Sequence, residues 1–410
     1  PRLTPGPVTR GTVSATPSPQ PGRPPGGRQP GGVPLRVSTL ELFFDLVFAF
    51  TLTQLTELLA HHLSLAGVAQ VLLIFGVLWW MYGGYAWLTN TRTPDRAPER
   101  VLLLTGMAGF LVVGLAIPHG FGAEGATESG AALGLGYLIV VLVHAALYYR
   151  LNRNIMRIAP FNITSALLVI LAGVVDGPAV YALWAAALAI QVLSPLIAHP
   201  SGRFEIQPAH FVERHGALII VALGESVAAI GISASREGVT GSLIAAAVLG
   251  LALTACLWWA YFGTGDDDRA EGAFTAAAPG QRPGLALSAY FYAHIPMLLG
   301  VVAMAAGVML TIGSAAEPHP VGQAIALSGG VALFLAGDAW FRAALRIGTP
   351  WPRLATAAFA LAATALGATV AVEAQLAVLL GALVAMLAAE RYAGASPSRL
   401  RRVRKGGWEA

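Results

Sequence analysis

The stretch Glu41-Leu-Phe-Phe-Asp45-Leu-Val-Phe-Ala-Phe50 sets two carboxylates four residues apart inside an apolar run. At that spacing Glu41 and Asp45 share one face of a helix. Such a pair can bind or relay a cation or a proton, or it can pair with a neighbouring helix and hold a bundle together. A helix entering an apolar layer near residue 40 carries Asp45 about 8 Å inward at 1.5 Å per residue. A carboxylate at the centre of a bilayer costs roughly 2.5–3.5 kcal/mol, and less at this depth. Thr56 projects within about 20° of Asp45, three turns deeper. Glu41, Asp45 and Thr56 therefore draw a polar line along one side of an otherwise apolar helix, and both readings of Asp45 stand.

A second group lies in His210-Phe-Val-Glu213-Arg214-His215, followed mid-helix by Glu225 and Ser226. Arg214 and Glu225 fall about 20° apart on the helical wheel but on the order of 16 Å apart along the axis, so they line one path without pairing. Glu225, near the middle of its apolar segment, must face other helices, protonated or partnered. Gly224 beside it is expected to permit close helix approach or a kink. His144 sits within another apolar segment. Asp338 and Arg342, at i,i+4, are expected to form a structural ion pair. His144 and His294 read most simply as hydrogen-bonded core residues, and Asp266-Asp267-Asp268 as a solvated loop. If the chain moves ions, Asp45, Glu225 and His144 should line one cavity. If they are structural, each should have its own partner.

The elements that hold these residues follow from composition. Hydrophobic residues make up 56% of the chain and charged residues 11%, and the mean hydropathy is +0.67. Ordinary soluble domains carry roughly 25% charged residues, so a bilayer is the natural solvent here. Apolar windows of about 20 residues start near residues 40, 67, 100, 131, 160, 178, 213, 241, 285, 321, 352 and 373. The expected fold is all-α, a polytopic membrane protein of about twelve transmembrane helices. The pair near 160 and 178 is parted only by Asp176-Gly177-Pro178 and could also form a hairpin that does not cross fully. Residues 1–36, rich in Pro and Gly, are expected to be a disordered tail, and 394–410 a basic tail. With no apolar h-region before residue 40, the first helix is expected to serve as the insertion signal.

Positive charge tests that count. With twelve crossings, 24 of the 25 Lys and Arg residues fall on one side, Arg236 being the exception. Basic loops stay in the cytoplasm, so both termini are expected there. The terminal run Arg399–Lys405 is expected to anchor against anionic lipid. Leu78-Trp79-Trp80-Met81-Tyr82, with Gly83, recurs as Leu257-Trp258-Trp259-Ala260-Tyr261, with Gly263, at an offset of 179 residues. The match implies two parallel six-helix repeats, 37–200 and 201–393.

The lone cysteine, Cys256, rules out an intrachain disulfide. Gly-x-Ser-x-Gly, His-Glu-x-x-His, P-loop and dinucleotide motifs are absent, and the histidines lack metal-ligand spacing on any one helix. The chain is therefore expected to be a non-enzyme with no cofactor and no metal site.

Glu41-Leu-Phe-Phe-Asp45-Leu-Val-Phe with Thr53-Gln54-Leu55, and Glu213-Arg214 with Leu223-Gly224-Glu225-Ser226, resemble the signatures of the bacterial low temperature requirement A family. The resemblance spans about residues 36–392. It implies a multi-pass membrane protein, linked by family name to growth in the cold, of undefined molecular activity. Phe43–Ala49 also resembles the first helix of the endolysosomal and bacterial potassium channel family. Here Phe44 stands in place of the serine, and the second half has no copy, which counts against a symmetric pore. The Gly-x-x-x-Asp-x-x-Gly-Arg loop of major facilitator carriers is missing, Asn90–Arg100 standing in its place.

Taken together, the expected function is a cation- or proton-coupled transporter or channel-like protein of the bacterial inner membrane. Its path candidates are Glu41, Asp45, Thr56, His144, Glu213, Arg214, Glu225 and Ser226. The alternative is a sensory or structural membrane protein involved in cold adaptation. The expected partners are the lipid bilayer and a monovalent cation or proton. A homo-oligomer is compatible with so apolar a surface, and nothing points to nucleic acid.

Overall fold

A backbone amide inside a bilayer has no water to turn to, so a crossing segment closes its hydrogen bonds along its own axis. The computed structural model of the chain describes residues 36–92, 94–121, 126–149, 156–198, 206–234, 240–263, 265–311 and 318–394, and these contain helices and no strand. The Pro/Gly-rich tail expected over 1–36 and the basic tail over 394–410 lie outside the described residues, except for Arg36 and Gly394.

The order is α1 (Thr39–His61), α2 (Leu65–Thr91), α3 (Ala97–Ala116), α4 (Ala126–Tyr149), α5 (Ala159–Ala172), α6 (Ala179–Ala198), α7 (Pro208–Ala234) and α8 (Gly241–Tyr261). There follow α9 (Asp266–Ala276), α10 (Arg282–Leu285), α11 (His294–Thr311), α12 (Val321–Leu345), α13 (Trp351–Ala362), α14 (Thr364–Thr369) and α15 (Val372–Gly394). A π-helical stretch, Ala286–Tyr292, leads from α10 to α11. Helical segments begin within about five residues of each of the twelve expected starts. Among the described residues nine segments are long and apolar enough to cross a membrane. That count leaves out α5, α7 and α13. With 14 and 12 residues, α5 and α13 are shorter than the roughly 20 that a crossing needs.

Local signals start the helices where the sequence places them. Ser38 caps α1: its hydroxyl accepts from the Glu41 amide at 3.3 Å, and the Glu41 carboxylate accepts from the Ser38 amide at 2.9 Å. Ser64 and Thr240 cap α2 and α8 through the hydroxyl alone, which accepts from the Gly67 and Leu243 amides. α1 is built inside out relative to a soluble helix. Glu41, Phe44, Asp45 and Phe48 are buried, while Leu42, Phe43 and Leu46 are exposed. An apolar exterior around a charged interior fits lipid as the surrounding solvent.

The core of the first half is aromatic. Phe44 meets Phe110 edge-on at 5.3 Å, and Phe48 lies 4.4 Å from Tyr82, ring centre to ring centre. α1 touches α2, α3, α7 and α11, and α7 touches α1, α2, α8 and α11. α11 and α12 pack closest through glycine: a Cβ on Gly300 would stand 2.6 Å from the Gly330 carbonyl oxygen and the Phe334 amide nitrogen. The close approach expected at Gly224 is not seen, because a Cβ there would meet nothing within 4 Å.

Candidate functional site

α7 presents two faces to the core. His210 and Arg214, one turn apart, face α1 and α2, while Phe211 and His215 face the π-helical stretch and α11. On the first face Arg214 is the hub. Its Nη1 donates to Glu41 Oε1 at 3.2 Å and to the Thr89 hydroxyl, and its Nη2 donates to Asp45 Oδ1 at 3.0 Å. The guanidinium also lies 5.6 Å from the centre of the Phe44 ring and 5.5 Å from that of Tyr82. The Tyr82 hydroxyl donates to Asp45 Oδ1 at 2.9 Å. Glu41, Asp45 and Arg214 are all buried.

His210 completes the group. Its Nε2 lies 3.0 Å from Glu41 Oε1 without an aligned hydrogen bond among the described residues, and the Asn90 amide lies 3.2 Å from its Nδ1. Asn90 also donates to the Gln207 carbonyl and accepts from the Gln207 amide, which fixes its orientation. With Asn90 donating, Nδ1 is an acceptor and Nε2 carries the hydrogen, so the network suits a neutral imidazole. The charges are then two carboxylates against one guanidinium. Asp45 Oδ2 is buried and has no hydrogen-bond partner among the described residues.

A second buried network ties α8, α9, α12, α13 and α15. Arg353 donates through Nη1 to Asp338 and through Nη2 to Asp266 at 3.3 Å, Glu390 at 3.2 Å and the Ala260 carbonyl at 2.9 Å. Arg342 donates to Glu390 at 2.6 Å and lies 3.4 Å from Asp266, which Arg269 also contacts at 2.5 Å. Three acids meet three arginines here, and the formal charges cancel. Between the networks His215 and His294 sit with ring centres 5.2 Å apart. Both are pinned through Nδ1, to the Phe211 carbonyl at 2.8 Å and the Ala289 carbonyl at 3.0 Å, and His294 Nε2 meets the Tyr261 hydroxyl at 3.1 Å. No group of three or more His, Cys, Asp or Glu side chains among the described residues could hold a metal ion.

The family profile described as bacterial low temperature requirement A protein (LtrA) matches residues 36–389. The chain belongs to the LtrA family. It is 29% identical over 332 residues to the uncharacterized protein RA0937 of Rhizobium meliloti (strain 1021), covering 75% of this chain and 77% of the relative.

Within this LtrA fold the residues singled out from the sequence part company. Glu41, Asp45 and Arg214 converge. Glu225 does not join them: it accepts from the Thr53 hydroxyl at 2.5 Å, and the buried Ser226 hydroxyl has no partner among the described residues. Thr56 is buried, but it is Thr53 whose hydroxyl bonds Glu225 on α7. His144 packs between Tyr85 and Tyr148, with ring centres 5.2 and 4.7 Å away, and its Nε2 lies against Gly84. Asp45, Glu225 and His144 therefore do not share the single cavity that a transport site was expected to form. Glu213 is exposed and pairs with Arg36 at 3.8 Å. The expected Asp338–Arg342 pair is corrected as well. Asp338 bonds Arg353, and Arg342 bonds Glu390, because both side chains turn to helices that cross theirs. Nor is Asp266 a solvated loop residue. It is fully buried in the first turn of α9.

Sequence reasoning overlooked Tyr82, Thr89, Asn90 and Thr53 as partners, and Arg353 and Glu390 as members of a network. Tyr82 lay in the repeated Leu-Trp-Trp motif, and Thr89-Asn90 stood as a polar pair at the end of an apolar helix. Arg353 carried no signal beyond its charge.

Proposed function

We propose that this LtrA protein is a proton- or cation-coupled transporter or channel-like protein, and that Glu41, Asp45 and Arg214 form its ion-binding group. The excess of one carboxylate in a buried, partnered cluster carries this reading. An uncompensated charge away from water is costly, and a proton or cation taken up at Asp45 Oδ2 removes it. Arg214 already occupies the cation position between the two carboxylates, which favours a proton as the species that comes and goes. The balanced network around Arg353 needs no such neutralisation and serves as a structural clamp. Glu225, with Thr53, is a second candidate along the α1–α7 contact.

The layout is twelve helices in two parallel six-helix repeats in the bacterial inner membrane, with both termini cytoplasmic. Neighbour pairs support the repeat: α1–α2, α1–α3, α3–α4, α4–α5 and α2–α6 correspond to α7–α8, α7–α11, α11–α12, α12–α13 and α8–α15. The distribution of Lys and Arg supports the orientation.

One observation favours the alternative, a sensory or structural protein acting in cold adaptation. Asp45, Glu225 and His144 each have neighbours of their own instead of a shared cavity. Ion and proton flux into proteoliposomes separates the two. On the transport reading Asp45→Asn, a mimic of the protonated acid, abolishes flux while thermal stability is kept. Absence of flux in the native protein under every gradient, with Asp45→Asn unstable, would establish the alternative.

A further inference from the structure

α8 and α15 run side by side and leave a groove of about 700 Å³ between them, lined by Ala255, Cys256, Trp259, Val384, Ala388 and Arg391 among others. The groove is graded along its length. Trp259, Arg391 and the largely exposed Tyr392 stand toward the C-terminal ends of the two helices. Val384 lies seven residues before Arg391, about 10 Å further along the axis, in a wall of small and aliphatic side chains. Ala255 and Ala388 keep the groove open, because larger residues at these positions would fill it.

The charge at its upper end is free to bind. The adjacent carboxylate, Glu390, is engaged by Arg342 and Arg353. Arg391 is exposed and makes no ion pair among the described residues. A guanidinium between two interfacial aromatics, above an apolar trough, matches a molecule with an anionic head and a hydrocarbon tail. We propose that this groove binds a phospholipid with an anionic headgroup, its phosphate on Arg391 and one acyl chain along Cys256, Ala388 and Val384. The site shares no residue with the Arg214 cluster and does not depend on the ion-coupled reading.

The test is native mass spectrometry of the full chain in detergent, offered equal amounts of phosphatidylglycerol and phosphatidylcholine. Retention of phosphatidylglycerol over phosphatidylcholine by about fivefold is expected, the factor that about 1 kcal/mol per basic side chain at an anionic surface corresponds to. Arg391→Gln should abolish that preference, and Ala388→Trp should reduce retention of both lipids. Cys256, the chain's only cysteine, gives an independent reading on the unaltered protein: phosphatidylglycerol, and not phosphatidylcholine, should slow its alkylation by a maleimide. Equal retention of the two lipids, or a preference that survives Arg391→Gln, overturns the proposal. So does a particle of two chains that retains neither lipid, which would assign the groove to a second copy of the protein.

Discussion

Replacing Arg214 by methionine removes the one guanidinium that, among the described residues, contacts Glu41 and Asp45. At 3.0–3.2 Å each pair represents roughly 5 kcal/mol of gross attraction at an effective dielectric of about 20, most of it offset by desolvation. The loss that counts is the penalty of leaving both carboxylates buried without a cationic partner, with only neutral donors such as Tyr82 and Ser38. Arg214→Met should therefore lower the unfolding free energy by about 3–5 kcal/mol, the range found when one member of a buried ion pair is deleted. The same reasoning predicts recovery. Arg214→Met combined with Glu41→Gln and Asp45→Asn leaves no charge in the pocket, and most of the lost stability should return. Reversible unfolding in mixed micelles, followed by tryptophan fluorescence, measures both variants against the native chain. A single variant that costs less than about 1 kcal/mol, or a triple variant no more stable than the single, would refute the view that the cluster is a desolvated charge group.

Arg353→Gln should destabilise by several-fold more than Arg269→Gln in the same assay, since Arg353 is fully buried among three acids and Arg269 is half exposed. Thr53→Val leaves Glu225 without its hydroxyl donor and should cost about 1–3 kcal/mol, whereas Glu225→Gln keeps a partner and should cost less; comparing their thermal midpoints checks the order. Gly300→Ala should force α11 from α12 and cost about 1–3 kcal/mol. Gly224→Ala, in open space, should be neutral or stabilise by up to about 1 kcal/mol, and the folded fraction after detergent extraction distinguishes the two.

The helices were readable because a crossing segment writes itself as an apolar window, and caps such as Ser38 and Ser64 mark where each begins. Less readable was which windows cross. α5 and α13 look like spans by composition, yet the unbroken helices have 14 and 12 residues, α14 resuming one residue after α13. The inward turn of Glu41 and Asp45 could be inferred, since carboxylates do not face lipid. Their partner could not, because Arg214 lies 169 residues from Asp45 in the chain and no local pattern spans that distance. For the same reason Asp338 and Arg342 read as a local pair. Helical periodicity sees i,i+4 neighbours and is blind to Arg353 and Glu390 arriving from α13 and α15.

Asp45 stands six residues inside α1, on the order of 9 Å along the axis and so about a third of the way through a 30 Å hydrocarbon layer. A charge moved across a whole membrane at 100 mV gains about 2.3 kcal/mol, so one that reaches Asp45 from the nearer face gains only about 0.7 kcal/mol. That is a change in occupancy of roughly threefold. On the ion-coupled proposal, binding at this aspartate would be governed chiefly by concentration on the nearer side. Steep voltage dependence, where present, would report charge moving through the remaining two-thirds of the field, along the stretch of α1 and α7 that includes Thr53 and Glu225.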